Sequence, residues 1–379
     1  MVYRDMCGEK VSALGFGCMR LPMIKDESGE SIDKDLAYRM LDEARDAGVN
    51  YFDTAYGYLG GKSEPFMGDY LSRLPRDSYY LATKMPMWMA GDDKGDIAKI
   101  FETQLSRLKT DHIDFYLMHS MGRGNFEKAK KLEAVEYLLK QKELGRIRHF
   151  GFSFHDDYDC FAEHIGESWY EFCQLQYNYM DNEEQAGDKG IDLADSLGKP
   201  IIVMEPVKGG TLANLPDEVM APLKEAHPDW SAASWALRFA SSRKNVGVTL
   251  SGMSTYEQVS DNLKTFSGFE PLSDADREVL AEAKRILLSR VRNGCTGCEY
   301  CMPCPFGVNI PRNFSIWNNY ALYGNEGGVK WQYGRMKEEE RADKCKKCGK
   351  CEKVCPQHLS IRENLAACAE ELGAIMAKN

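Results

Sequence analysis

Short apolar runs alternate with longer stretches of helical character along most of the chain. The runs that predict strands are Val11–Phe16, Asn50–Asp53, Tyr79–Lys84, Ile113–His119, His149–Ser153, Phe172–Tyr177, Ile201–Glu205 and Val246–Ser251. Between them, apolar residues recur at helical spacing, as in Asp33–Ala47 and Glu127–Leu144. Gly48, Gly145 and Gly198 stand where such helices would end. Strand–helix alternation of this kind is typical of a parallel sheet covered by helices.

Eight strands within about 250 residues fit a closed barrel of eight βα units. The alternative is an open doubly wound sheet, which carries a glycine-rich turn after its first strand and at the start of a helix. Here Gly15-Phe16-Gly17 is followed by Cys18–Pro22, which lacks that pattern. We therefore predict an α/β protein with a (β/α)8 TIM barrel.

Composition excludes several classes of protein. The chain has 379 residues, of which 43% are hydrophobic and 28% charged, values that exclude wholesale disorder. No run of about 18 apolar residues occurs, so we predict no membrane span. The net charge of −10 disfavours nucleic acid as a partner. Met1–Lys10 lacks the apolar region of a secretory signal, so we expect a cytoplasmic protein.

The composition changes after a predicted helix at Ser273–Arg290. Residues 285–379 carry 15 Lys and Arg against 10 Asp and Glu, although the whole chain is acidic. Eight of the 13 cysteines lie between Cys295 and Cys355. We therefore predict two domains, the barrel over 1–284 and a second domain over 285–379. Further helices are predicted at Asn313–Tyr323, Val329–Lys344 and Ile361–Met376.

The clustered cysteines form two runs, each followed by a proline. The second run, Cys345-x2-Cys348-x2-Cys351-x3-Cys355-Pro356, has the spacing of bacterial ferredoxins, in which the fourth cysteine binds the other of two clusters. The first run has a last gap that is one residue shorter; it consists of Cys295, Cys298, Cys301, Cys304 and Pro305. We therefore predict two [4Fe-4S] clusters in a helical ferredoxin-like domain.

Crossed ligation assigns four cysteines to each cluster. The first cluster takes Cys295, Cys298, Cys301 and Cys355, and the second takes Cys345, Cys348, Cys351 and Cys304. Zinc is the competing metal, but two Cys₄ zinc sites would use paired C-x2-C knuckles rather than triple runs. A disulfide scaffold is not expected in a cytosolic chain.

Polar residues mark the ends of the predicted barrel strands. Asp53, Lys84, His119 and Ser153 each end a strand, and Gln174, Gln176 and Asn178 follow one face of another. Active sites of TIM barrels lie where these strand ends converge. Tyr58 follows Asp53 by five residues and is a candidate proton donor; Tyr56 competes with it on the same loop. The ammonium of Lys84 would lower the pKa of this phenol, Asp53 would hold the lysine, and His119 would orient a carbonyl oxygen.

These segments resemble the aldo-keto reductase family over roughly residues 1–285. The matching motifs are Asp53-Thr54-Ala55 with Tyr58, Ala82-Thr83-Lys84, Asp111–His119, Gly145–Ser153, Met204–Gly210 and Ser251–Ser254 with Gln258 and Asn262. The resemblance implies a (β/α)8 barrel and the catalytic tetrad Tyr58, Lys84, Asp53 and His119. It also implies an NAD(P)(H) coenzyme bound by Ser153, Gln174, Met204, Pro206, Gly252, Gln258 and Asn262. Together with the cysteine runs, the chain resembles bacterial members that carry a C-terminal 4Fe-4S domain.

The sequence departs from the family pattern in three respects. Phe154 stands where the family has an asparagine that holds the nicotinamide amide, and Met204 stands where an aromatic side chain often stacks on the ring. Gly252 and Gln258 stand near places where members that prefer NADP carry basic residues. The choice between NAD and NADP is therefore left open, with Arg243, Lys244 and Lys264 as nearby basic residues.

The leading hypothesis is an oxidoreductase that reduces a small carbonyl substrate with a nicotinamide coenzyme. A second is an electron-transfer protein whose barrel binds a flavin or another redox ligand, and a third is that the clusters are only structural. Hydride transfer moves two electrons and each cluster moves one, so the tetrad chemistry does not require the clusters. Lysines surround the second cysteine run. They are interpreted as solvated surface, as compensation for the anionic clusters, or as a site for an acidic redox partner protein on the basic C-terminal domain.

Overall fold

The computed structural model describes residues 1–26 and 29–378. By residue contacts, the chain divides into two compact units. The first unit comprises Met1–Ala213 and Trp230–Arg277, and the second comprises Asn214–Asp229 and Glu278–Asn379. Among the described residues, every helix is too short or too polar to cross a membrane.

The first unit is built on a closed barrel of parallel strands, as the sequence predicts. In spatial order the strands are β10 (Phe172–Gln176), β11 (Ile201–Met204), β12 (Val246–Gly252), β3 (Leu14–Gly17), β6 (Tyr51–Asp53), β7 (Tyr80–Met85), β8 (Ile113–Met121) and β9 (Ile147–Phe154). Two antiparallel hairpins precede the second barrel strand: β1 (Tyr3–Met6) with β2 (Glu9–Ser12), and β4 (Met23–Asp26) with β5 (Gly29–Ile32).

Apolar side chains fill most of the barrel interior, and polar side chains lie at one of its ends. Inward positions two residues apart on a strand carry apolar side chains, among them Tyr51, Ala82, Phe115, Phe172, Ile202 and Val248. Met6 and Val11 of the first hairpin pack against this set. The next inward positions, towards the carboxyl ends of the strands, include Asp53, Lys84 and Gln174. The same period that fills the core therefore gathers polar groups at the mouth of the barrel.

Helices follow the barrel strands. They are α1 (Lys34–Asp46), α2 (Ser63–Leu71), α3 (Gly95–Leu108), α4 (Arg123–Lys131), α5 (Ala134–Glu143), α6 (Tyr158–Ile165), α7 (Gly187–Ser196), α9 (Ala232–Ser241) and α10 (Tyr256–Ser267). In α1 the Asp33 carboxylate accepts a hydrogen bond from the amide of Leu36, and Ala37, Met40 and Leu41 are among the buried residues on one face. Gly48 follows this helix with a φ of 98°, which suits a glycine.

Three predicted elements differ from the structure. The predicted strand Val11–Phe16 is divided between the first hairpin and β3 (Leu14–Gly17). The predicted helix Glu127–Leu144 is interrupted at Glu133, whose φ is 51°. The prediction of a helix over Val329–Lys344 is wrong beyond Gly334. There the chain continues as short 3-10 turns at Glu338–Glu340 and Ala342–Lys344.

The second unit is helical and has its own apolar core. Its helices are α8 (Asp217–Ala226), α12 (Ile310–Tyr323), α13 (Glu326–Gly334), α14 (Lys350–Lys353) and α15 (Ile361–Ala377), and α11 (Asp274–Leu288) contains the boundary between the units. Phe314, Trp317, Leu365 and Leu372 lie in the core. Six of the eight clustered cysteines pack against it; they are Cys295, Cys301, Cys304, Cys345, Cys351 and Cys355.

Candidate active site and cluster domain

Lys84 is the centre of the polar group at the barrel mouth. Its Nζ lies 2.6 Å from Asp53 Oδ1 and donates hydrogen bonds to the Tyr58 hydroxyl at 3.2 Å and to the Thr54 carbonyl at 3.0 Å. The side chain is 1% exposed, so these contacts are shielded from water. The lysine therefore holds a carboxylate and a phenol together, as the predicted tetrad requires.

Burial and the lysine act on Tyr58 in opposite directions. Burial raises the pKa of the Tyr58 phenol, and the ammonium of Lys84 opposes that shift without cancelling it. The pKa of Lys84 is itself raised: burial favours the neutral amine, but Asp53, Tyr58 and the hydrogen bonds to them outweigh it. Tyr58 is thus a protonated phenol next to a permanent ammonium at neutral pH. The predicted influence of Lys84 is present, but it is smaller than the effect of burial.

His119 completes the tetrad from the end of β8. Its ring lies edge-on to Tyr58 at 5.8 Å between centroids and 4.8 Å from the ring of Trp88. Burial, with a smaller contribution from Lys84, holds the pKa of His119 well below its ordinary value. Its buried Nδ1 has no hydrogen-bond partner within the described part of the chain. A neutral imidazole with an unused ring nitrogen is suited to hydrogen bonding with a ligand.

A buried network fixes β7 from behind. The Glu64 carboxylate accepts hydrogen bonds from the Thr83 hydroxyl at 2.7 Å and from the Gln104 amide at 2.8 Å. Gln104 also donates to the carbonyl of Lys84 at 3.0 Å and accepts from the Tyr116 hydroxyl at 2.6 Å. The backbone that carries Lys84 is therefore tied to helix α3 through side chains.

The tetrad faces a cavity of about 980 Å³. Asp53, Tyr58 and His119 line it, whereas Lys84 lies behind Asp53 and Tyr58. Five residues proposed for the coenzyme also line this cavity: Gln174, Met204, Pro206, Gly252 and Gln258. A cavity of this size lies at the upper end of the usual range of ligand pockets.

Two residues proposed for the coenzyme are not among the lining residues. The Ser153 hydroxyl accepts a hydrogen bond from the amide of Ser120 at 2.7 Å. Asn262 is buried and donates to the Ser251 hydroxyl at 2.9 Å. Gln258 lines the cavity, but its carbonyl oxygen already accepts from the amide of Ser254 at 2.7 Å. These side chains shape the loops around the cavity.

Gln174 offers an atom that a nicotinamide carboxamide would use. Its Nε2 donates weakly to Asp53 Oδ2 at 3.4 Å, and its buried Oε1 has no partner among residues 1–26 and 29–378. Glycines also leave room at the rim, where Gly209, Gly210 and Gly252 line the cavity. An unused acceptor at the floor and a glycine-lined rim fit a nicotinamide coenzyme.

The side chain of Phe154 turns away from the cavity. It is fully buried and packs on Phe161 with 5.3 Å between ring centroids, on the helix side of β9. His155, the next residue, lines the cavity instead. Alternation along β9 therefore puts a histidine near the mouth and removes position 154 from the ligand.

Arg20 is a cavity residue that the sequence analysis did not identify. It follows β3, and its side chain lies against Gly252, where an added Cβ would meet Arg20 carbons at 3.2 Å. An added Cβ at Gly209 would lie 3.3 Å from Arg20 Nη2. The guanidinium therefore extends along the glycine-lined rim. The sequence signal was the pair of small residues at Gly209 and Gly252, but nothing in the pattern links them to residue 20.

The clustered cysteines surround a separate cavity in the second unit. This cavity is about 280 Å³ and is lined by five of them: Cys301, Cys304, Cys345, Cys348 and Cys351. Cys301 interacts electrostatically with Cys295, Cys298 and Cys351, so the remaining half of the first run is close by. No three His, Cys, Asp or Glu side chains of the described chain converge as they would around one metal ion. Thiols spread around a cavity fit the corners of an iron–sulfur cluster.

The family comparison agrees with both units. Residues 13–285 match the sequence model of the Aldo/keto reductase family, and residues 294–359 match the 4Fe-4S dicluster domain. The chain belongs to the aldo/keto reductase family and is an oxidoreductase of that type, with a C-terminal 4Fe-4S domain.

Individual relatives resemble the barrel part. L-galactose dehydrogenase of Arabidopsis thaliana is 27% identical over 302 residues, 74% of this chain and 92% of the relative. NADH-specific methylglyoxal reductase of Escherichia coli strain K12 is 26% identical over 300 residues, 68% of this chain and 90% of the relative. Among solved structures, the holo form of aldo-keto reductase AKR11C1 from Bacillus halodurans superposes with a TM-score of 0.60 at 28% identity, covering 75% of this chain and 96% of that one.

Proposed function

We propose that the barrel reduces a small carbonyl substrate with NADH or NADPH and that Tyr58 protonates the carbonyl oxygen. The observation that carries this proposal is the contact chain from Tyr58 through Lys84 to Asp53 at the edge of a large cavity. The coenzyme, when bound, supplies a hydride to the carbonyl carbon. Tyr58 gives its proton to the oxygen as negative charge develops there.

The other members of the tetrad support this proton transfer. Lys84 stabilises the phenolate that remains after the proton has left, and Asp53 keeps the ammonium in place. Neutral His119 is an uncharged hydrogen-bonding group next to Tyr58, so it orients the carbonyl oxygen without competing as an acid. Trp88, beside His119, provides an apolar wall for the substrate.

The coenzyme would be held by groups on three sides of the cavity. Gln174, whose unused Oε1 lies at the cavity, would bind the carboxamide, and Met204 and Pro206 would contact the nicotinamide ring; Ser153 would act only indirectly, through the backbone of Ser120. Arg20 supplies positive charge for the phosphates along the glycine-lined rim. Gly252 and Gln258 add no cation there, so we expect no strong selection for the 2′-phosphate of NADPH. A relative named as an NADH-specific reductase is consistent with this expectation.

The second unit would hold two [4Fe-4S] clusters with crossed ligation. All four cysteines assigned to the second cluster, Cys304, Cys345, Cys348 and Cys351, line one cavity, and Cys301 of the first cluster lines it too. The first cluster would take Cys295, Cys298, Cys301 and Cys355. We further propose that a redox partner uses the basic C-terminal domain and that the protein acts in the cytoplasm.

The tetrad favours the reductase over the alternative electron-transfer protein with a flavin-binding barrel. A phenol held against a buried ammonium is suited to protonating a carbonyl oxygen, and flavin binding makes no use of it. Of the two changed positions, Phe154 points away from the cavity and only Met204 lines it.

Replacing Tyr58 tests the proposal. Tyr58→Phe removes the proton donor, so turnover of an accepted aldehyde such as methylglyoxal should fall by about 10²-fold or more. Coenzyme affinity, measured by quenching of protein fluorescence, should stay within about twofold because the substitution removes only the hydroxyl that the proposal assigns to the carbonyl oxygen. Tyr56→Phe is the matched control, since Tyr56 lines the same cavity but packs on Arg107 instead of Lys84. Near-normal turnover in Tyr58→Phe with a rate-limiting chemical step would contradict the assignment.

A further inference from the structure

The cavity among the cysteines opens onto an unusual surface. Three apolar side chains that line it are exposed: Tyr300 is 70% exposed, Phe306 46% and Val354 51%. Lys346 and Lys350 line the same cavity and are also exposed. We call these five residues the docking face. Apolar side chains in water beside a redox site are typical of surfaces that meet another protein.

In the part of the protein that the structure describes, most lysines of this region have no carboxylate partner in an ion pair. Lys344 and Arg362 form ion pairs with Glu338 and Glu352. In contrast, Lys346, Lys347, Lys350 and Lys353 make no ion pair with any residue in the described ranges. Four ammonium groups without a carboxylate partner in those ranges lie within one short segment of a chain whose net charge is −10. The charge is therefore concentrated next to the second cysteine run.

The hydride chemistry proposed for the barrel differs from the chemistry of the clusters in the number of electrons that move together. Hydride transfer moves two electrons together, whereas an iron–sulfur cluster moves one. Clusters that exchange electrons therefore need a one-electron partner, and that partner has to approach a cluster closely. Small interfaces steered by charge are usual for such short-lived redox encounters.

We propose that the docking face binds an acidic protein that carries single electrons, and that the cluster of Cys304, Cys345, Cys348 and Cys351 is the one that exchanges electrons with it. This inference rests on the clusters of the proposed function and does not depend on Tyr58 chemistry. The step is balanced without bond changes: the reduced carrier loses one electron and the oxidised cluster gains it. Carboxylates of the carrier face Lys346 and Lys350, and its apolar contact covers Tyr300 and Phe306.

Binding of an acidic flavodoxin to the full-length protein with its clusters loaded tests the proposal. Calorimetry at low salt should detect a complex whose affinity falls steeply as salt is raised. Lys346→Glu with Lys350→Glu should weaken binding on the order of tenfold or more, because both charges on the face are reversed. Lys337→Glu is the matched control: Lys337 is exposed in the same unit but does not line the cavity. Phe306→Ser should weaken binding with little change in its salt dependence.

Electron transfer provides the second readout. Flavodoxin hydroquinone mixed with the protein should give its semiquinone and a reduced cluster, and the charge-reversed variant should slow the second-order rate by a similar factor. Iron content and electron paramagnetic resonance of each protein before mixing show whether the clusters are present, so a missing cluster is distinguished from failed docking. Three outcomes would overturn the proposal: no binding to cluster-loaded protein, equal binding by the variant and the parent, or salt-sensitive self-association of the chain through these lysines.

Discussion

At the scale of single residues, the protonation states around Tyr58 are set by burial. Burial opposes charge on each of these groups, so it raises the pKa of Tyr58 and lowers the pKa of His119. Lys84 is the exception, because two hydrogen-bonded partners keep it charged. The result is a buried ammonium held between the Asp53 carboxylate and the protonated Tyr58, with neutral His119 on the other side of the phenol.

This arrangement predicts the pH dependence of carbonyl reduction. The reaction needs a protonated Tyr58, whose raised pKa keeps the proton through neutral and mildly alkaline pH. The rate should therefore be lost only as pH rises through that raised value. A free histidine titrates at about pH 6.5, but His119 stays neutral to lower pH, so kcat/KM should show no limb near 6.5. A clear loss of kcat/KM between about pH 7 and pH 6 that disappears in His119→Gln would contradict this prediction.

Arg20 gives a second prediction at this scale. Its guanidinium lies along the glycine-lined rim, where coenzyme phosphates would pass. Losing a charged hydrogen bond typically costs about 1.5–3 kcal/mol, so Arg20→Gln should weaken coenzyme binding on the order of tenfold. Fluorescence titrations with NADH and NADPH should show similar losses, and Arg20→Lys should recover part of the affinity. A loss confined to NADPH would mean that Arg20 binds the 2′-phosphate instead.

At the scale of elements, periodicity located the barrel strands well because apolar residues and catalytic residues follow the same alternation. Tyr51 and Asp53, or Ala82 and Lys84, occupy successive inward positions of one strand. Interruptions were harder to foresee. Glu133 has a left-handed backbone conformation, and helix α5 starts at the next residue. The apolar spacing on either side gives no sign of this break. Likewise, the residue pattern after Gly334 predicts a continued helix, but the structure has 3-10 turns there.

The link between α3 and β7 yields a prediction about stability. Gln104 satisfies the Glu64 carboxylate, the Tyr116 hydroxyl and the carbonyl of Lys84 within a dry environment. Gln104→Leu leaves these groups short of partners, so the free energy of unfolding should fall by about 2 kcal/mol or more. Urea unfolding of the full chain measures this change. Thr103→Ala on the exposed side of the same helix should change it by only about 0.5 kcal/mol. Equal effects of the two substitutions would show that the network adds nothing to stability.

At the scale of the whole molecule, crossed ligation predicts which cysteines depend on one another. Anaerobic protein should contain about eight iron and eight sulfide per chain, from two four-iron clusters. Cys355→Ser should expose Cys295, Cys298 and Cys301 to a thiol-labelling reagent, whereas Cys304→Ser should expose Cys345, Cys348 and Cys351. Mass spectrometry of the labelled peptides reads this directly. If each substitution instead exposes the other cysteines of its own run, each run binds its own cluster. Zinc in place of iron would contradict both the predicted clusters and their crossed ligation.

The sequence indicated the barrel, the 4Fe-4S domain and the four side chains that meet at the barrel mouth, since each depends on residues whose spacing has a physical meaning. The details of the coenzyme site could not be read in this way. Phe154 was judged by its position in a motif, but its side chain points to the helices because of strand alternation. Arg20 lies about 230 residues from Gly252, the residue it packs against, so only the closed barrel brings them together. The assigned roles of the tetrad and coenzyme residues remain predictions for the experiments above.

The second unit is discontinuous in sequence, which has a consequence for the order of events during synthesis. Residues 214–229 belong to it by contacts, yet the rest of the unit begins only at residue 278. At roughly 5–20 residues per second, a ribosome needs several seconds to make the intervening chain. Helix α8 therefore leaves the ribosome well before Arg290, the residue whose guanidinium pairs with its Glu218. Until the cysteine-rich segment has been translated, the α8 segment of a nascent chain lacks the partners that it packs against, and a helix of 10 residues with an internal proline is marginal on its own in water.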